Sequence, residues 1–126
     1  MVELEPTKRV DLDGLGVTPQ LVRHGQPEGA FFSYRIESDG RSLAYTGDTE
    51  WTETLVETGR DADLLIAEAY MFDRKVPLHL DYATLAANLP RIAPKRVLLT
   101  HMSEDMLARA DEAPEENAHD GLVLTL

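Results

Sequence analysis

Ser42-Leu43-Ala44-Tyr45-Thr46-Gly47-Asp48-Thr49 reads as a short apolar strand that ends in a sharp turn bearing a carboxylate. Gly47 permits the turn, and Asp48 falls at the C-terminal edge of the strand, the rim where α/β proteins keep their chemistry. A second string repeats the logic: Arg96-Val97-Leu98-Leu99-Thr100-His101 is an apolar run closed by an imidazole, with Ser103 placed to cap a helix. His79, in Leu78-His79-Leu80-Asp81, stands just before another helix, and His24 follows the short run Gln20-Leu21-Val22-Arg23. Taken singly, each has a plain alternative. Asp48 can be a helix cap, and a lone histidine is more often a surface or hydrogen-bonded group than a ligand. The ordered set of four is the stronger signal.

The surrounding pattern predicts an α/β fold, a mixed sheet with helices on one face. Residues 31–36 and 41–46 form a hairpin about Ser38-Asp39-Gly40. Gly14 to Pro19 reads as a turn, Gln20–Arg23 as a strand, and Arg9-Val10 as a possible edge strand. Beyond Asp48 the pattern gives a helix over Trp51–Thr58, a buried parallel strand at Leu64–Ala67, and a helix from Asp81 to Leu89 stopped by Pro90 or Pro94. Strand 96–100, a helix from Ser103 to Ala110 and a final strand over Gly121–Leu126 complete the order. Glu68 ends the buried strand, where a carboxylate needs a partner such as His79 or solvent.

With 126 residues, the chain is expected to form a single domain over 1–126. The absence of cysteine excludes disulfides, thiolate catalysis and cysteine-ligated zinc. Twelve basic residues against 23 acidic ones give a net charge of -11, which repels a phosphate backbone and favours a small substrate over nucleic acid. No apolar run is long enough to span a membrane, and Met1–Glu5 lacks the pattern of a secretion signal, so a cytoplasmic location is expected. Asp111–Glu116 reads as a solvated loop, with His119 on the surface.

These strings resemble the metallo-β-lactamase superfamily, in particular its RNase Z-like and related phosphodiesterase-type hydrolases, over roughly residues 15–126. His24-Gly25 followed by Ser33-Tyr34-Arg35-Ile36 is similar to a family histidine that precedes a Gly-Tyr-Arg-Ile strand. Thr46-Gly47-Asp48-Thr49 matches the family's Gly-Asp-Thr turn, Ala67-Glu68-Ala69 its His-Glu-Ala, His79-Leu80-Asp81 its histidine before a helix, and Leu99–Ser103 its Leu-Thr-His string. The resemblance implies that His24 and His101 each bind one metal, usually zinc, and that Asp48 bridges both. It implies that His79 faces the scissile group as proton donor, with Glu68 orienting it from behind. The implied reaction is metal-dependent hydrolysis of a small phosphodiester or ester.

Two departures shape the expectation. The family's His-x-His-x-Asp-His motif is absent from the sequence, which makes the chain read as the C-terminal portion of such a hydrolase, half of its αββα sandwich, with weak or no metal binding on its own. The link Glu37–Arg41 is too short for the arm that tRNA-processing members carry there. A half-sandwich would expose a sheet face, so a homodimer, or association with a missing N-terminal half, is expected. The competing readings are a non-catalytic module that binds a partner through that face, and a small α/β domain whose histidines are unrelated.

Overall fold

Two Asp-Gly pairs fold the first half of the chain. Asp13 and Gly14 (φ 52° and 89°) and Asp39 and Gly40 (φ 49° and 72°) each place two consecutive residues in the left-handed region, the signature of two-residue hairpin turns. The first joins β1 (Val10–Leu12) to β2 (Leu15–Leu21), and the second joins β3 (Phe32–Ser38) to β4 (Arg41–Tyr45). The computed structural model describes residues 3–27 and 31–126.

The turn expected at Gly14–Pro19 is thus confined to Asp13-Gly14, and the strand begins at Leu15 and runs through Pro19. Pro19 is tolerated because its carbonyl faces away from β3 and accepts from the Thr7 amide at 2.8 Å. The imide nitrogen of a strand residue points the same way as its carbonyl, so the missing donor removes nothing from the β2–β3 ladder.

From β4 onward the chain turns parallel. Strands β5 (Leu64–Glu68), β6 (Val97–Thr100) and β7 (Glu116–Asn117) add in sequence to make one seven-stranded sheet in the order 1-2-3-4-5-6-7. Parallel neighbours need crossovers, and these are α1 (Thr54–Gly59), α2 (Tyr82–Ile92) and α3 (Glu104–Ala108). The helices lie on one face. Ala44, Leu65, Ala67 and Leu99 point from the sheet into a core shared with Leu55, Val56, Leu85, Ile92 and Met106. Gly59 lets α1 and α2 approach closely, because a Cβ there would stand 2.5 Å from Ile92 Cγ2. Arg35 closes the end of α1, donating to the carbonyls of Thr58 (3.2 Å) and Arg60 (2.8 Å).

Several boundaries differ from the sequence pattern, each for a local reason. Helix α1 starts at Thr54 rather than Trp51, because the Thr52 hydroxyl accepts from the Thr54 amide and holds the preceding residues in a turn. Helix α2 runs past Pro90 to Ile92. A proline in the last turn removes a single helical bond, and Ala93 (φ 53°) closes the end by donating to Leu89 O at 2.7 Å. Helix α3 ends at Ala108, and residues 110–112 tighten into a 3-10 turn.

The last strand is not Gly121–Leu126 but Glu116–Asn117, which begins at the end of the Asp111–Glu116 segment expected to be a solvated loop. The acidic run joins the sheet because its charges have partners: Arg96 holds Glu116 through two bonds of 2.5 and 2.7 Å, and the Tyr82 hydroxyl donates to Glu115 at 2.8 Å. Leu122, Leu124 and Leu126 instead lie against the helix-free face, lining one cavity with Leu43, Leu64, Ile66 and Leu98. Among the described residues no helix is long and apolar enough to cross a membrane.

Candidate active site

Strands β4, β5 and β6 end on one rim, and their ends and the segments that leave them carry Asp48, Glu68, His79 and His101, while His24 follows β2. Gly47 makes the turn after β4 at φ 63°, with the Phe32 carbonyl only 3.0 Å from where a Cβ would sit. Both facts require glycine. Asp48 follows, one third exposed. His101 leaves β6 in the left-handed region (φ 53°), a conformation histidine adopts more readily than most residues. These two turns bring Asp48 Oδ1 to 3.4 Å from His101 Nδ1.

Glu68 lies behind them at the end of β5, 1% exposed. Its burial is compensated throughout. Oε2 accepts from the amides of Thr49 (2.8 Å) and Leu80 (3.2 Å), and Oε1 accepts from His79 Nδ1 in a short hydrogen bond. Its own amide donates to Thr46 Oγ1 at 3.0 Å. One carboxylate therefore ties together the β4 turn, the end of β5 and the segment before α2. Burial and the charges of Asp48 and Glu68 raise the Tyr45 phenol above its ordinary pKa, keeping a neutral hydroxyl beside the site.

His79 is presented by a tight turn, with its amide donating to Val76 O at 3.3 Å and Leu78 at φ 70°. His24 is held from two sides. The backbone of neighbouring Arg23 pairs with the β4 turn, through its amide to Thr49 Oγ1 (3.0 Å) and its carbonyl from the Glu50 amide (3.0 Å). The His24 ring itself donates from Nδ1 to Leu78 O at 2.8 Å. A carbonyl only accepts, so this bond fixes the proton on Nδ1 and leaves Nε2 with a free lone pair. The bond from His79 Nδ1 to the Glu68 carboxylate likewise fixes the orientation of the second ring.

The three histidines stand in a row. Ring centroids of His24 and His79 are 5.1 Å apart, and those of His79 and His101 are 5.4 Å apart and nearly parallel. Tyr70 lies against both His79 (4.4 Å, stacked) and His101 (5.6 Å). Its backbone joins the two loops, the amide donating to Leu80 O and the carbonyl accepting from Ser103 N. Sequence reasoning passed over Tyr70. Its position two residues past Glu68, at the exit of a buried strand, is the only signal that could have marked it. His119 is exposed and apart from this group, as expected.

Glu68, His79 and His101 each offer a ligand atom within 4.8 Å of the others, and Asp48 adjoins them through His101. The donor chemistry fits a divalent metal: imidazole nitrogens, with Nδ1 of His24 and of His79 held by acceptors, and a partly exposed carboxylate. Glu68 has both oxygens committed to protein donors, so His24, Asp48 and His101 are the open donors on the rim. Three such donors fall short of what two ions require.

This mixed α/β fold, with its histidine- and carboxylate-bearing rim, has counterparts among known proteins. The chain belongs to the β-lactamase superfamily domain family, whose model matches residues 1–102. It is 32% identical over 109 residues to the uncharacterized protein ML1173 of Mycobacterium leprae, covering 80% of this chain and 38% of that protein. It is 42% identical over 93 residues to a ribonuclease Z of Haloarcula marismortui, covering 68% of this chain and 30% of the relative. Among solved structures, a diphosphatase of the PhnP family superposes with a TM-score of 0.77 at 26% identity, over 95% of this chain and 47% of that one. The metallo-β-lactamase fold protein YhfI of Bacillus subtilis superposes with a TM-score of 0.75 at 17% identity, over 92% and 51%. The chain thus spans about half or less of the length of these relatives.

Proposed function

We propose that this chain supplies the C-terminal half of a metal-dependent hydrolase acting on a small phosphodiester or ester. The observation that carries the reading is the meeting of Asp48 and His101 at 3.4 Å, beside the Glu68–His79 pair. In this reading His24, Asp48 and His101 hold the metal, and zinc is the ion that suits imidazole and carboxylate donors. Such an ion supplies Lewis acidity toward an ester or phosphoryl oxygen and lowers the pKa of water. In this reading Asp48, which adjoins His101, is the carboxylate that would serve both ions.

His79 does the proton work. Glu68 holds its Nδ1–H and fixes the ring, so Nε2 is the atom that steadies an anionic oxygen or passes a proton to the leaving one. Tyr70 keeps the ring plane from rotating away. A net charge of -11 and the short Glu37–Arg41 link favour a small substrate, whereas some relatives are ribonucleases.

Zinc titration of the chain by calorimetry tests this. Weak binding that falls by about tenfold or more in Asp48→Asn and His101→Ala is expected. Binding unchanged by either substitution would contradict it. A second reading, a module that binds a partner without catalysis, draws on the apolar residues Leu43, Ile66 and Leu98 of the helix-free face. It predicts no response of these residues to zinc.

A further inference from the structure

A separate cavity of about 400 Å³ opens on the far side of His79, between the start of α1 and the loop before α2. We propose that it is the specificity subsite of the hydrolase proposed above, and that it takes a flat aromatic ring carried next to the substrate's anionic phosphoester. The inference rests on that hydrolase reading for the position of the scissile group, and on the cavity's own walls for the ligand.

Trp51 forms one wall. It packs against the hydrophobic core while lining the cavity, so its indole is a fixed platform rather than a mobile surface group. Val76 and Pro77 add apolar lining. Val76 also accepts the His79 amide, which couples the position of the wall to that of the imidazole.

The charges decide what the cavity attracts. Both carboxylates on its lining are already engaged. Asp81 caps α2 through the Thr84 amide and hydroxyl, each at 2.8 Å. Glu50 pairs with Arg23 at 3.1 Å and accepts from the Leu78 amide at 3.4 Å. Lys75 is exposed and, among the described residues, makes neither an ion pair nor a hydrogen bond. Against the chain's negative balance, an uncommitted ammonium on the same lining as an aromatic platform gives this cavity a local preference for an anion with a stackable ring. His79 borders both this cavity and the rim of metal donors, so a ligand seated here presents its ester to the reacting side.

Trp51 is the only tryptophan in the chain, so its fluorescence reports this cavity alone. The chain is titrated with phenyl phosphate and with adenosine 5′-monophosphate, which separate a simple aryl group from a nucleoside. Inorganic phosphate and ribose 5-phosphate serve as ring-free controls. A chelator is present throughout, so that metal occupancy plays no part. A saturable change with at least one aromatic phosphate, absent with both controls, is expected. Lys75→Met should weaken it by about tenfold, and Lys75→Arg should hold it within about threefold. No saturable change with either aromatic phosphate, an equal change with inorganic phosphate, or a Lys75→Met titration matching the parent would overturn the proposal. Circular dichroism checks that each variant is folded. The zinc titration does not involve Lys75, so the hydrolase reading stands or falls separately.

Discussion

Asp48 and His101 leave two different strands and meet 3.4 Å apart because each follows a backbone turn in the left-handed region, Gly47 at φ 63° and His101 itself at φ 53°. The relationship is costly to build, since positive φ at a non-glycine residue stores about 1–3 kcal/mol.

Gly47 is therefore the first test. Gly47→Ala places a Cβ against the Phe32 carbonyl at 3.0 Å and in a disfavoured conformation. A loss of about 1–2 kcal/mol in urea unfolding is expected, with an unchanged denaturant slope.

Glu68 is the structural keystone of the rim. Glu68→Gln keeps the volume but replaces one accepting oxygen by a donor that faces the Thr49 and Leu80 amides or His79. Urea unfolding should show destabilisation of about 2–3 kcal/mol, since hydrogen bonds to a buried charge are among the stronger ones. A neutral result would mean that Glu68 is not holding the three segments together.

Acid stability should depend on a different carboxylate. Hydrogen bonds from Lys95 and from the Ser42 amide depress Asp63 from its ordinary value of 3.8 to about 2. The ionised form is favoured in the fold, so its stabilisation is complete above pH 4 and is lost as pH falls through about 2. Melting temperature measured across this window should fall with pH in the parent, and the fall should be shallower in Asp63→Asn.

Association is the fourth expectation. The helix-free face carries Leu43, Ile66 and Leu98, which share a cavity with residues of the 118–126 segment, and Leu15, Leu21 and Tyr45 are exposed at 46%, 37% and 37%. Light scattering at micromolar concentration should give a dimer mass. A well-folded monomer would contradict this.

Where the sequence pattern succeeded, one residue controlled the local outcome. Asp81 and Ser103 cap their helices, each accepting from the amide three residues on, and the apolar run at Leu64–Ala67 is a parallel strand paired on both sides. It failed where a partner distant in sequence decided. Nothing near Glu116 announces that Arg96 will neutralise it and draw the acidic segment into the sheet, nor that Leu122, Leu124 and Leu126 will pack on a sheet face instead of forming a strand. Pro19 looked like a turn residue because its strand position depends on the direction of its carbonyl. At the rim, the strand-end and turn positions of Asp48, His79 and His101 were legible. Tyr70 was not, because its role lies in touching two rings that come from other segments.

The central claim is that His24, Asp48 and His101 are the metal donors. The most direct measurement is a long-range proton–nitrogen correlation spectrum of the histidine rings during zinc titration. The account predicts that nitrogens of His24 and His101 shift together, that His119 does not, and that Asp48→Asn weakens the response by about tenfold. Unmoved His24 and His101 signals, or a response confined to His119, would contradict it.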